Sequence, residues 1–247
     1  MTGNRTELVP PGPGRRYRAT CIVRLGDVLP SGEARLDAIA RYLQDVAADD
    51  GRDAGVKNHM AWLVRKTSIL VIQRPQLEET VELLTWASAA SPRWAERRTT
   101  ISVGGEAVIE AASIWVFVDL ESMRPARIPE PFWSTYGEAV GDRKVTARLN
   151  HPEPPRDRGP DRRPWPLRVA DIDRLGHVNN AATWVAIDDE LDRAGRATDL
   201  TYVDLEYRRP IDYTNPVTIE SQSTADNMLV WLTVEGTVMA SAALSFD

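Results

Sequence analysis

Asp173-Arg174-Leu175-Gly176-His177-Val178-Asn179-Asn180 puts a carboxylate, an imidazole and two carboxamides inside eight consecutive residues. A carboxylate such as Asp173 can serve as general base or nucleophile towards a carbonyl. An imidazole such as His177, with an intrinsic pKa of about 6.5, can orient that carboxylate, position water or protonate a leaving group. If a helix begins just after the glycine, the backbone N–H groups from Gly176 through Val178, Asn179 and Asn180 should be unpaired and lie at the positive end of its dipole. Such donors suit a developing oxyanion, where losing one typically costs about 2.7–4 kcal/mol. Each residue also has an ordinary role: asparagines cap helices, aspartates form turns and most lone histidines are structural. One of Asn179 and Asn180 is expected to cap the helix, leaving the other to bond substrate or water.

The composition narrows what such a turn can belong to. At 247 residues with 43% apolar side chains, the chain can bury one large core or two modest ones. It has no apolar run long enough to span a bilayer and no hydrophobic segment at its amino terminus, so a cytoplasmic protein is expected, with no membrane association. The single cysteine, Cys21, rules out an internal disulfide and is read as a packed core thiol in a strand. A net charge of −6 argues against nucleic acid as a partner. His59 and His151 have no neighbouring ligands at metal spacing, so neither a metal nor a cofactor is expected. The pairs Arg97-Arg98, Arg143-Lys144 and Arg162-Arg163 read as solvated charge, with contact to an acidic carrier or to phosphates as the other reading.

The elements that position the turn occur twice. VRLGDVLPSGEARLDAIARYLQDV lies without a gap on LRVADIDRLGHVNNAATWVAIDDEL, so that Asp27 and Asp171, and Gly32 and Gly176, stand 144 residues apart. Each copy reads as strand, glycine turn, helix. Leu36, Ile39, Ala40, Leu43, Val46 and Ala47 give the first helix an apolar face, as Trp184, Ile187 and Leu191 do the second. An Arg-Pro pair recurs at 74–75 and 209–210, and each copy ends in alternating β-branched stretches, with Gly104-Gly105 as a hairpin turn. Between the copies, residues 120–166 are dense in proline, which removes backbone donors that a regular element needs, and this stretch reads as a linker. The expected fold is α+β, with each half a long helix wrapped by an antiparallel sheet.

Comparing the copies separates scaffold from chemistry. Asp173 faces Leu29 in the alignment, His177 faces Glu33, Asn179 faces Arg35 and Asn180 faces Leu36, whereas the glycine and the outer aspartate are common to both. Asp171 is therefore read as structural, and Asp173 with His177 as chemical.

Asp171-Ile172-Asp173-Arg174-Leu175-Gly176-His177-Val178-Asn179-Asn180 resembles the D-L-D-x-N-Q-H-V-N-N motif of the acyl-acyl carrier protein thioesterases, double-hotdog enzymes of plants and bacteria. Leu205-Glu206-Tyr207-Arg208-Arg209 is similar to their L-x-Y-R-R segment. Where the plant pattern has asparagine two residues before the histidine, this chain has Leu175, and where it continues Glu-Cys, this chain has Pro210 and Ile211. The resemblance implies a tandem double hotdog: residues 1–119 a degenerate, acyl-binding half, 120–166 the linker and 167–247 the catalytic half. It implies hydrolysis of fatty acyl-ACP, or of acyl-CoA, to a free fatty acid. Asp173 would be base or nucleophile, His177 would assist, and the helix N-terminal amides would hold the oxyanion. The two hotdogs would pair within the chain, with a homodimer as a further arrangement. Two other readings stand beside this one: a non-catalytic acyl sensor, and a hotdog hydratase, whose motif spaces Asp and His by five positions against four here.

Overall fold

The computed structural model describes residues 10–56, 61–155 and 161–246; His59 and the linker residues 156–160 lie outside the described residues. By contact density the chain divides into two units, residues 1–34 with 42–148, and residues 35–41 with 149–247. Among the described residues no helix is long and apolar enough to cross a membrane.

The first half of the chain runs β1 (Tyr17–Ile22), a 3-10 turn (Leu25–Asp27), α1 (Leu36–Asp53), β2 (Ala61–Val71), β3 (Thr80–Ser91), β4 (Trp94–Val103), β5 (Glu106–Val118) and α2 (Glu130–Val140). Its antiparallel sheet has the order β1-β3-β4-β5-β2. The second half runs β6 (Asp161–Pro164), a 3-10 turn (Val169–Asp171), α3 (Thr183–Arg193), β7 (Leu200–Tyr207), β8 (Val217–Ser223), β9 (Asn227–Val234) and β10 (Thr237–Phe246). Its sheet is β6-β8-β9-β10-β7, the same order for corresponding strands. Two copies of one strand order, each with a helix between its first two strands, give the tandem double hotdog of class α+β.

The periodicities that suggested these elements are those that fill the cores. On α1, Leu36, Ile39, Ala40, Leu43 and Val46 are buried, and on α3, Trp184, Ile187 and Leu191 are fully enclosed. Gly104 and Gly105 join β4 to β5 with φ of 58° and 88°, the two left-handed residues of a type I′ hairpin. The Arg-Pro pairs are not structurally equivalent. The Pro75 carbonyl accepts from Ala34, but the matching acceptor for Val178 is the Ile211 carbonyl, one residue past Pro210.

Several expectations require correction. The proline-rich stretch 120–166 contains α2, whose Phe132, Tyr136 and Val140 fall one turn apart and pack on Ala87, Ala90 and Ala95 of the first sheet. Pro129 and Pro131 sit at the cap and first turn of α2, where the missing N–H groups would have had no intrahelical partner, so these prolines start the helix rather than prevent it. Cys21 is half-buried on edge strand β1 rather than enclosed, and burial pushes its thiol up. The arginine pairs divide: Arg143, Lys144 and Arg162 are exposed, as solvated charge should be, but Arg97, Arg98 and Arg163 are drawn in. Arg98 is buried against Glu96 at 2.9 Å, Arg97 meets the buried Asp50 at 2.7 Å, and Arg163 meets Glu190 at 2.6 Å. Asp50 on α1 and Glu190 on α3 draw Arg97 and Arg163 inward, which neighbouring residues in sequence do not reveal, whereas Arg98 turns to Glu96 on its own strand.

The outer aspartates cap the 3-10 turns identically. The Arg24 amide donates to Asp27 Oδ2 at 2.9 Å and the Arg168 amide to Asp171 Oδ2 at 2.7 Å, with both carboxylates buried. The Arg168 guanidinium adds a bond to Asp171 Oδ1 at 2.7 Å. Asp171→Ala is expected to lower folding stability by about 1–2 kcal/mol in urea titrations, as loss of a capping carboxylate does.

Candidate functional site

Between the second 3-10 turn and α3 the backbone folds back on itself within four residues. The Asp173 amide donates to the His177 carbonyl at 2.8 Å and the Gly176 amide to the Asp173 carbonyl at 3.0 Å. This reversal places Gly176 at φ +84°, a conformation that costs residues with a Cβ about 1–2 kcal/mol. A Cβ at Gly176 would meet nothing within 4 Å, so the requirement is conformational rather than one of space. The turn also fixes the half-buried Asp173 carboxylate. Its Oδ1 accepts from the Leu175 amide at 2.8 Å and from the His177 amide at 3.3 Å. Among the described residues these are the bonds on that side chain, so Oδ2 remains available.

The imidazole of His177 does not reach Asp173. Its Nε2 lies 3.4 Å from Oδ1 of Asp212, a residue the motif did not point to. The backbones of His177 and Asp212 form an isolated antiparallel bridge, and the Val178 amide donates to Ile211 at 2.8 Å, which sets the two side chains next to each other. The sequence carries a weak signal for Asp212, a carboxylate just beyond the repeated Arg-Pro, but the one-residue slip between the copies hides the pairing. Both side chains are partly open to solvent.

The helix begins later than its sequence suggests, and this corrects the expected oxyanion site. α3 starts at Thr183, so neither Asn179 nor Asn180 is its cap residue. Asn179 instead accepts the Ala181 amide on its side chain at 2.8 Å, closing a turn ahead of the helix. The amides of Gly176, His177, Val178 and Asn179 are all committed within the protein. Among the described residues the amides of Asn180 and Ala182 have no acceptor, so the donors lie at the far end of the segment and beyond it.

Asn180 is held by a buried tyrosine. Trp184 Nε1 donates to Tyr207 Oη at 2.9 Å, and Tyr207 Oη donates to the Asn180 carbonyl at 3.0 Å. Burial raises the Tyr207 phenol well above the ordinary tyrosine range, with the Trp184 bond acting weakly the other way. The matching turn in the first unit keeps the scaffold without these groups. The Leu29 amide donates to Glu33 at 2.8 Å and Gly32 has φ +90°, but Leu29 has no carboxylate and Glu33 is bonded to Ser31.

Two further features stand apart from the turn. In the second unit, His151 packs with Nδ1 3.1 Å from Ser241 Oγ and Nε2 3.5 Å from Asp204, beside the fully enclosed Glu206. Among the described residues no three His, Cys, Asp or Glu side chains are grouped to hold a metal ion. In the first unit, α1, α2 and the sheet border a half-open cavity of about 310 Å³ lined by Gln44, Trp62, Ala95, Trp115 and Phe132 among others.

Comparison with known proteins gives a consistent picture. Residues 14–136 match the family model for the acyl-ACP thioesterase N-terminal domain, and residues 156–246 match that for its C-terminal domain. An uncharacterised protein of Mycobacterium tuberculosis is 29% identical over 239 residues, covering 95% of this chain and 93% of that protein. A chloroplastic acyl-[acyl-carrier-protein] hydrolase of Cuphea viscosissima is 24% identical over 79% of this chain and 52% of its own length. The solved 12:0-ACP thioesterase of Umbellularia californica superposes with a TM-score of 0.78 at 20% identity, covering 94% of this chain and 97% of that one.

The buried phenol predicts an alkaline response. Because Tyr207 keeps its proton to higher pH when folded than when unfolded, the stability tied to it is complete below about pH 10 and falls as the pH rises further. Tyr207→Phe should lose about 1–2 kcal/mol at neutral pH, and its stability should fall less steeply than the wild type's above pH 10, read by denaturant melts across the range.

Proposed function

The chain belongs to the acyl-ACP thioesterase family and is a thioester hydrolase, and from that premise we propose that it releases fatty acids from acyl carrier protein at the Asp173 turn of the second unit. The observation that carries this reading is the fixed Asp173 carboxylate beside an Asp212-paired His177, on a turn whose counterpart in the first unit has neither group. Water held by Asp173 Oδ2 attacks the thioester carbonyl and passes its proton to the carboxylate. The oxygen that gains negative charge faces the amides of Asn180 and Ala182. As the C–S bond breaks, the thiolate takes a proton from His177, and Asp212 offsets the imidazolium charge in the preceding state. The carboxylate can instead attack directly to form a mixed anhydride that water opens. A single turnover in oxygen-labelled water separates the two routes, because only the anhydride can place label in Asp173.

Asp212 lies close to a departure from the family pattern. This chain has Pro210 where that pattern has glutamate, and Asp212, two positions later, sets its carboxylate beside His177. The first unit, with its degenerate turn, holds the acyl chain in its cavity. A volume of about 310 Å³ is near the lower end of small-ligand sites, roughly 300–1,000 Å³. At about 30 Å³ for a water, which a methylene resembles in size, it takes a chain of about ten carbons.

Acyl-ACP and acyl-CoA esters of graded chain length test the proposal. The ACP esters of medium chains should turn over fastest, and acyl binding without release of free acid by the wild type would contradict it. His177→Ala should lower kcat about a hundredfold. Asp212→Ala should lower it less, and the double variant should be no slower than His177→Ala alone, because the two residues act as one unit.

A further inference from the structure

We propose that Gly51 on α1 sets the length of acyl chain the first unit accepts, because a side chain there would stand in the space the acyl chain fills. This rests on the reading of that cavity as the acyl site. Gln44, Ala47, Ala48 and Gly51 line the cavity from α1, and their spacing of i, i+3, i+4 and i+7 puts them on one flank of the helix. A Cβ on Gly51 would project from that flank, and among the described residues it would meet nothing within 4 Å. The other walls are Ala87 and Ala95 from the sheet, Trp62 from β2 and Phe132 from α2, with the Trp62 and Phe132 ring centroids 5.5 Å apart.

The helix itself does not require glycine at this position. Gly51 is not in the left-handed region, and it is Gly55, at φ 66°, that ends the helix. Glycine inside a helix is less stable than alanine, because it loses more backbone freedom on folding. The geometry of the helix end shows what is missing. The Val56 amide donates to the Gly51 carbonyl at 3.0 Å and the Gly55 amide to the Arg52 carbonyl at 3.0 Å, the paired bonds of a Schellman ending. In such an ending the side chains at the positions of Val56 and Gly51 commonly meet and seal the turn. Here the second of them is absent, and both positions line the cavity. The chain gives up a helix-favouring side chain and a sealing contact at the same point, and gains room for a ligand beside Val56. At about 30 Å³ per carbon, a leucine side chain at Gly51 would take up more than a third of the cavity's volume of about 310 Å³.

Calorimetric titration of the protein with octanoic, decanoic and dodecanoic acids tests this. In Gly51→Leu the preference for decanoic over octanoic acid should fall roughly tenfold, the effect of two methylenes denied burial, and in Gly51→Ala it should fall about threefold. Gly51→Ala should melt no lower than the wild type, since alanine is the better helix former and its Cβ meets no atom of the described residues. A loss confined to the longer acids is then not a loss of fold. Phe132→Ala, which removes a ring from another wall, should carry the preference on to dodecanoic acid. The proposal is overturned if both Gly51 variants keep the length preference of the wild type. If Phe132→Ala then still moves that preference, the cavity remains the acyl site and Gly51 alone is discounted. If neither position moves it, or the wild type binds none of the acids, the acyl reading of the cavity falls together with the proposal. Titration reads binding without turnover, so a length preference that follows Gly51 in a protein releasing no fatty acid contradicts the proposed activity alone.

Discussion

The Asp173 carboxylate is fixed by a backbone reversal that only a left-handed residue permits, and the remainder of the site follows from how that reversal is anchored. Gly176 at φ +84° lets the Asp173 and His177 backbones bond across the turn, and the same geometry brings the Leu175 and His177 amides onto Asp173 Oδ1. On one side the turn is tied to the capped 3-10 segment by the Asn179 amide, which donates to the Asp171 carbonyl at 2.8 Å. On the other it bridges to the segment after β7, which brings Asp212 to His177. No long side chain has to be ordered for this purpose, so the entropy of placing Asp173, His177 and Asp212 together is met by the backbone.

The two units show what happens when that scaffold is kept and its side chains change. Both have the capped 3-10 turn, the positive-φ glycine and the same five-strand order. In the first unit the position of Asp173 is filled by Leu29, and a half-open, mainly apolar cavity lies beside α1 and α2. The helix starts have also diverged. α1 begins at Leu36, directly after its turn, whereas α3 waits until Thr183, and the amides of Asn180 and Ala182 before it have no acceptor among the described residues.

The fold was legible because its signals are local and repeated. The apolar faces of α1 and α3, the Gly104-Gly105 hairpin and the constant spacing of Asp27 with Asp171 each require only neighbouring residues to be recognised. The structure also gives Asp171 the structural contact expected of an aspartate common to both copies. What escaped the sequence depends on contacts between distant segments. Asp212 meets His177 through an isolated bridge, and a one-residue slip after the Arg-Pro pairs conceals the correspondence. Arg97 reads as surface charge until Asp50 is seen beside it. The late start of α3 has no residue signature, because Asn179 satisfies the preceding turn with the side chain that would otherwise cap the helix.

The central claim is that chemistry belongs to the Asp173 carboxylate and not merely to the shape of the turn. The most direct measurement is the single-turnover rate of fatty acyl-ACP hydrolysis by Asp173→Asn, a change that keeps an oxygen able to accept the Leu175 and His177 amides. If the carboxylate acts as base or nucleophile, the rate falls about 10²–10⁴-fold below wild type with an unchanged thermal midpoint. A rate within a few-fold of wild type would contradict it.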